Sequence, residues 1–359
     1  MRLELEKRAE RSSLMALLSP VIALALTLVT GGILFAALGQ NPAIALYTFF
    51  IEPLTASWSL QELVVKATPL ILIGVGLAVC YLSNNWNIGA EGQFTFGAIV
   101  GCILPIMFPA FENVLTLPLM LVMGIAGGMA WAAIPAFLKV RFGTNEILTS
   151  LMLVYIAQLL LDWLVRGPWR DPDGFNFPES RVFSEAATLP ALADGRMHVG
   201  AIFAVIAVLV LAVVLLKSLK GFEIRVLGQA PRAGRFAGFS QNRMVWFAFL
   251  LAGGLAGLAG ISEVSGSVNQ LTPIVSPGYG FTAIIVAFLG RLNPIGIFFS
   301  GFLLALSYLG GEAAQVGLGI SDKTTRVFQG MLLFYVLACD TLILYRVRLG
   351  RPAATGRGN

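Results

Sequence analysis

Apolar residues in this chain neither alternate nor recur every third or fourth position; they run on. Near-continuous apolar stretches occupy residues 14–38, 60–82, 92–110, 115–138, 147–166, 198–216, 244–262, 279–290, 294–310 and 327–345, with most charged residues between them. A helix needs about 20 such residues to cross the roughly 30 Å core of a bilayer, so the pattern predicts ten helical crossings. Two stretches depart from it. Tyr279 to Gly290 is about twelve residues, near 18 Å of helix, which is too short to cross. Residues 92–110 contain Pro105 and follow SNNWNIGAEGQ (83–93), polar and glycine-broken where an apolar run is expected.

Backbone that leaves the helix at membrane depth survives only where protein or a water-filled cavity satisfies its polar groups. Both odd segments are therefore expected to be broken or half helices near the midplane. They also resemble each other: GQFTFGAIVG (92–101) and YGFTAIIVAFLG (279–290) each carry a Gly, an aromatic residue followed by Thr, and an apolar run closing on Gly. Five stretches precede the helix that leads into the long basic loop and five run from that helix on, so the expected architecture is two inverted five-helix repeats, as in many transporters. The alternative is two unrelated helices made of small residues for tight packing.

Composition agrees. Of 359 residues, 57% are hydrophobic and 12% charged, against about 25% charged in a soluble domain, so the fold class is an all-α polytopic membrane protein. The net charge of +5 is sorted by membrane side. Arg2, Lys7, Arg8, Arg11, Lys139, Arg141, the six basic residues of 217–243, Arg291, Arg346, Arg348, Arg351 and Arg357 fall in segments on one face. Arg166, Arg170, Arg181, Arg196, Lys323 and Arg326 fall on the other. The positive-inside rule makes the first face cytoplasmic, with both termini there. The organisation expected is a cytoplasmic segment 1–13, a single transmembrane domain 14–345 with an outer loop 167–197 and a basic inner loop 217–243, and a cytoplasmic tail 346–359. Cys80, Cys102 and Cys339 lie in apolar runs and read as packing residues. The small-residue runs GIAGGMAWAA (124–133) and AGGLAGLAG (252–260) predict close helix approach.

Catalytic constellations are missing. There is no GxxxxGK[ST], HExxH, GxSxG or CxxC, and the sole histidine, His198, stands at a span entrance. Neither a metal nor a cofactor is expected in the chain, and uphill transport would draw on a partner or an ion gradient. Glu91 and Glu263, beside broken segments, are the acids an ion-coupled carrier would use, since intramembrane ionisable groups usually face a cavity or a partner.

NIGAEGQ (87–93), RFGTNEILTSLMLVYIA (141–157), GPWRDP (167–172), GFEIRVLGQAPRAGRFAGFS (221–240), GGLAGLAGISEVSG (253–266) and GYGFTAIIVAFLGRLNPIG (278–296) together resemble permease subunits of ATP-binding cassette importers. The superfamily is that of the branched-chain amino acid and ribose permeases, and the motifs look most like its nucleoside and simple-sugar branch. The resemblance implies a subunit of the bacterial cytoplasmic membrane, not itself an enzyme. It also implies a second permease subunit, identical or paralogous, a cassette ATPase holding ATP and Mg, and an extracytoplasmic binding lipoprotein of the basic membrane protein type. By position, Glu223, Arg225, Gly228, Arg232, Arg235 and Gly238 fall in the segment that couples to the ATPase, with Arg232 and Arg235 nearest the partner. It further implies a path where Asn85, Trp86, Asn87, Glu91 and Gln93 offer amides and an aromatic face, Tyr279, Phe281 and Thr282 answer from the other repeat, and Glu263 lies alongside. Such groups suit a neutral, planar, hydroxyl-rich nucleoside. Equally, the Asn and Glu side chains could cap the helices flanking the break.

Overall fold

In a computed structural model, residues 2–7, 13–192 and 194–350 are described. The chain is nearly all helical: α1 (Ser13–Ala37), α2 (Pro42–Phe50), α3 (Ser57–Leu82), α4 (Ala90–Gly101), α5 (Ile103–Met107), α6 (Thr116–Phe142), α7 (Glu146–Arg166), α8 (Gly200–Lys217), α9 (Leu219–Gln229), α10 (Pro231–Phe236), α11 (Gln241–Glu263), α12 (Tyr279–Leu289), α13 (Pro294–Leu318) and α14 (Asp322–Leu344). One feature not expected is an antiparallel ladder of β1 (Arg2–Lys7) with β2 (Tyr345–Gly350), Arg2 opposite Gly350. The remainder of the expected terminal segments, residues 1, 8–12 and 351–359, lies outside the described residues.

Among the described residues, eight helical stretches are long and apolar enough to cross a membrane: Leu18–Ala37, Ser57–Leu82, Ala90–Met107, Thr116–Phe142, Glu146–Arg166, Gly200–Lys217, Gln241–Val268 and Pro294–Leu318. Each matches an expected crossing. Of the other two, residues 279–290 form α12, whose 11 residues extend about 16 Å, and residues 327–344 fall within α14. Between the first two crossings lies α2. Asn41 starts it by accepting from the backbone N–H groups of Ala43 and Ile44, and Pro42 presets the first turn.

The chain divides into two compact units, Met1–Ile51 with Gly311–Asn359, and Glu52–Gly310. In the first, α1 packs on α14, and Phe35, Phe49 and Phe328 centre an apolar cluster. Gly31 makes room for it, since a Cβ there would lie 2.6 Å from the Phe328 ring.

In the second unit, 89% of the most apolar window of α3 is buried, against 28% for α6 and for α7. The central helix is therefore α3, and α6 and α7 turn most of their apolar surface outward, as lipid-facing helices do. α11 packs on α6, α4 and α3, while α12 packs on α3 and α4. Glycines set these distances. A Cβ on Gly128 would come within 2.1 Å of the Gly253 carbonyl oxygen, and one on Gly257 within 2.2 Å of that of Gly124. These are the two small-residue runs, and with no side chain between them the backbones touch.

Both long helices that lead into the odd segments end alike. After α3, Asn84 is left-handed at φ 56°, and after α11, Asn269 is left-handed at φ 58°, a conformation that Asn tolerates better than most residues. α11 first loosens through a π-helical turn, Val264–Val268. From each Asn the chain runs without helix to a short one, α4 or α12.

Candidate translocation site

The first break, residues 83–89, is packed with amides that satisfy one another. Asn87 and Gln93 exchange side-chain hydrogen bonds of 3.0 Å in both directions, and Asn87 Oδ1 also accepts from the Gly89 N–H at 3.0 Å. The Tyr81 hydroxyl donates to the Asn87 carbonyl at 3.1 Å, and the Ile88 N–H donates to Ser150 Oγ at 3.2 Å. Asn85 donates to Ser83 Oγ at 2.8 Å and accepts from Lys139 Nζ at 2.8 Å. Asn87 and Gln93 are buried, and a buried amide left unpaired would cost about 1–3 kcal/mol per group.

The two short helices meet at their beginnings. Glu91, in the first turn of α4, accepts a 2.5 Å hydrogen bond from the N–H of Gly280, in the first turn of α12. A Cβ on Gly280 would lie 2.3 Å from the backbone nitrogen of Glu91, so the two chains touch. Helix N-termini carry orphan N–H groups and partial positive charge; here two of them abut, and a buried carboxyl group from the first turn of α4 accepts from the first turn of α12. Ser276 Oγ takes the N–H groups of Gly278 and Tyr279 at 3.0 and 2.9 Å. The Tyr279 ring lies edge-on to Phe94 and Tyr308, at 6.2 and 5.5 Å, and Thr282 Oγ1 is 2.7 Å from the Tyr308 hydroxyl.

Asn85, Asn87, Glu91, Gln93, Tyr279 and Thr282 thus gather around the two breaks. Trp86, 40% exposed, stands at the edge and stacks on Phe288 at 6.2 Å. Phe281 stays apart, being 38% exposed on another face of α12. Glu263 is buried near the charges of Lys66, Arg196 and Glu62, and its Oε2, like Ser262 Oγ, has no hydrogen-bond partner among the described residues.

The basic loop forms α9 and α10. Half of its expected contact residues are engaged internally. Arg225 Nη2 donates to the Leu215 carbonyl at 2.8 Å, serving the C-terminus of α8, and Glu223 pairs with Lys220 at 2.8 Å. Gly228 lies under the end of α3, where a Cβ would come within 2.0 Å of the Leu82 carbonyl. Arg232 and Arg235 point outward beside Phe236, which is 95% exposed, and Gly238 takes φ 83°.

His198 is buried in front of α8. Its Nδ1 accepts from the Gly200 N–H at 3.1 Å, which leaves the proton on Nε2, 3.4 Å from Ser267 Oγ. Gly200 and Gly266 leave room for the ring. Burial, with Arg196 adding to it, pushes the imidazole down to about 4.

Sequence reasoning missed Lys139, Glu146, Ser150, Tyr308 and Phe288 as neighbours of the site. The first two left a signal: a base closing one apolar run and an acid opening the next, across a turn whose Asn145 caps α7 by accepting from Ile147 and Leu148 N–H.

A family model described as "Branched-chain amino acid transport system / permease component" matches residues 59–337. The glucose ABC transporter permease protein TsgB13 of Haloferax volcanii is 36% identical over 99% of this chain and 96% of its own length. The nucleoside ABC transporter permease protein NupB of Lactococcus lactis is 29% identical over 89% of this chain and 90% of its own. The guanosine ABC transporter permease protein NupP of Bacillus subtilis is 28% identical over 94% and 98%.

Proposed function

The chain belongs to the family of branched-chain amino acid transport system permease components, and from that premise we infer that it carries nucleosides, purine type foremost, or related simple sugars across the bacterial inner membrane. It is a multi-pass membrane protein and the permease subunit of an ATP-binding cassette importer. The substrate class draws on relatives named for nucleosides, guanosine and glucose. The observation that carries a path in this chain is the meeting of two half-helix starts at Glu91 and Gly280. Amides surround that junction, and hydroxyl-bearing aromatic residues flank it on the α12 side. Hydroxyl-rich neutral solutes match hydrogen-bond donors, acceptors and ring faces better than fixed charge.

Ten crossings in two inverted five-helix repeats fit the matched sequence α3, left-handed Asn84, break, α4 and α11, left-handed Asn269, break, α12. The division into segment 1–13, transmembrane domain 14–345 and tail 346–359, with both termini cytoplasmic, follows the positive-inside distribution. ATP hydrolysis belongs to a separate cassette subunit, which docks on α9 and α10. Exposed Arg232, Arg235 and Phe236 are the surface offered, in the manner of a helix laid in a groove. A second permease subunit and an extracytoplasmic lipoprotein of the basic membrane protein type complete the assembly.

The ion-coupled alternative through Glu91 and Glu263 is not favoured. Each of the three relatives is an ATP-binding cassette permease by name, and the Glu91 carboxylate is committed to Gly280.

The test is co-purification and uptake with Arg232→Glu and Arg235→Glu combined. Loss of both the ATPase and the uptake of labelled guanosine or glucose is expected. Retention of the complex and of uptake, or uptake driven by an ion gradient without ATP, overturns the reading. Competition between unlabelled guanosine and glucose separates the two substrate classes.

A further inference from the structure

The first break is held from several sides at its Lys139 end. Lys139 Nζ, in the last turn of α6, donates to Asn85 Oδ1 at 2.8 Å and to Glu146 Oε1 at 2.5 Å, and the same Glu146 oxygen accepts the Trp86 N–H at 3.3 Å. The Lys139 and Glu146 side chains are only 21% and 14% exposed, so this pair is shielded in a way that surface ion pairs are not. It fixes the backbone of Asn85 and Trp86, and so aims the Trp86 ring. That ring lies over Phe288, 24° from parallel, and Tyr81 stacks on the same Phe288 at 5.0 Å and 19°. Tyr81 belongs to the last turn of α3 and Phe288 to the last turn of α12. The three rings therefore tie the break to the last turns of α3 and α12. The coupling helix reaches the same place, because Gly228 of α9 rests on the Leu82 carbonyl, next to Tyr81.

We propose that Lys139 and Glu146 are positioning residues for a cytoplasmic gate made of Tyr81, Trp86 and Phe288, and that Gly228 is the point where the coupling segment bears on it. The proposal rests on the reading of the break as path and of α9 and α10 as the ATPase dock. With the pair intact, Trp86 is held in register over Phe288 and the cytoplasmic end is shut. Displacement of α9 moves Leu82, and with it the short strut that carries both Tyr81 and Trp86. A side chain at position 228 would hold α9 off α3 and loosen that link without touching the ATPase.

The test uses the assembled transporter in inside-out vesicles, with Ile88→Cys as a reporter just beyond the stack and a membrane-impermeant maleimide as probe. The native cysteines Cys80, Cys102 and Cys339 are buried, and the parent without the reporter gives the background. Lys139→Met and Glu146→Gln are each expected to speed labelling about tenfold, the effect of losing a charge-assisted hydrogen bond. Lys139→Arg, which keeps a cationic donor for Asn85 Oδ1 and Glu146, should keep the slow rate, which a merely unfolded protein would not do. Gly228→Ala should lower uptake about tenfold while the co-purified ATPase keeps hydrolysing ATP. Unchanged labelling in Lys139→Met and Glu146→Gln overturns the gate, and so does labelling of Lys139→Arg as fast as that of Lys139→Met. Absence of labelling in every variant overturns the path reading itself.

Discussion

The two breaks begin alike and are held differently. The first, between Asn84 and Ala90, is secured largely by its own side chains, through the Asn87–Gln93 pair and Asn85, with Lys139 and Ser150 at its flanks. The second, between Asn269 and Tyr279, leans on the outer loop. Ser180 N–H donates to the Leu271 carbonyl at 2.9 Å, and the Leu271 N–H returns to Ser180 Oγ at 2.8 Å. Phe183 and Leu189 N–H groups donate to the carbonyls of Asn269 and Ser265, each at 2.8 Å, and Arg196 reaches the Ser267 carbonyl at 3.0 Å. One break is thus braced from within and the other by a surface segment. Whatever acts on the outer loop reaches the second break directly, whereas the first responds at its Lys139 end. The difference teaches that matching backbone layout need not mean matching stiffness.

The largest expected effect strikes what the breaks share. Gly280→Val would drive a side chain into the Ala90–Glu91 backbone, at a cost of about 3 kcal/mol or more. Loss of folded protein in thermal melting and of uptake is expected, and a normal melting curve would mean that the helix starts do not touch. Next comes a pair that separates the breaks. Asn87→Ala leaves the Gln93 amide and the Gly89 N–H unpaired, for about 2–3 kcal/mol. Ser180→Ala removes one acceptor for a backbone N–H, for about 1 kcal/mol. Equal losses in the melting temperature would erase the distinction between an internally braced break and a loop-braced one.

How much of this was legible in the sequence follows from the same contrast. The breaks were visible because polar and glycine residues interrupt apolar runs. The short helix expected at 279–290 is Tyr279–Leu289, since length and hydrophobicity are local properties. The partners of the polar groups were not visible. Glu91 meets a residue 189 positions away, and nothing in NIGAEGQ says whether its carboxylate faces solute or a helix start. Both readings had been open, and the geometry gives Glu91, Asn87 and Gln93 structural partners. Half of the coupling residues expected by position also have partners within the chain, for a related reason: a basic charge pattern does not tell an arginine that serves a helix end, as Arg225 does at α8, from one that only faces outward.

A smaller effect, confined to the loop-braced side, should appear as pH dependence. His198 titrates near 4 in the folded chain and near 6.5 when unfolded. The unfolded state therefore binds more protons between those values, so stability is complete above about pH 6.5 and declines as pH falls toward 4. Between pH 7.5 and 5.5 the loss attributable to this group is about 1 kcal/mol. His198→Asn should flatten that part of the melting-temperature profile, and an unchanged slope would show that the ring is not held neutral.

The smallest effect decides whether the two left-handed asparagines are equivalent. Glycine suits φ near 57° at least as well as asparagine does, so backbone energy alone makes both substitutions mildly favourable. The side chains differ. Asn84 Oδ1 accepts from Trp86 Nε1 at 3.2 Å, while Asn269 Oδ1 is buried without a hydrogen-bond partner among the described residues. Asn84→Gly should therefore lose about 0.5–1 kcal/mol, the net worth of one hydrogen bond, and loosen the indole that it steadies. Asn269→Gly removes an unpaired polar atom and should be neutral or stabilising by a few tenths of a kcal/mol. Opposite signs in paired melting curves mark the first asparagine as part of the brace and the second as a plain chain reversal. A loss at Asn269 as large as that at Asn84 would mean that the second break has an internal brace of its own, and that the outer loop is not what holds it.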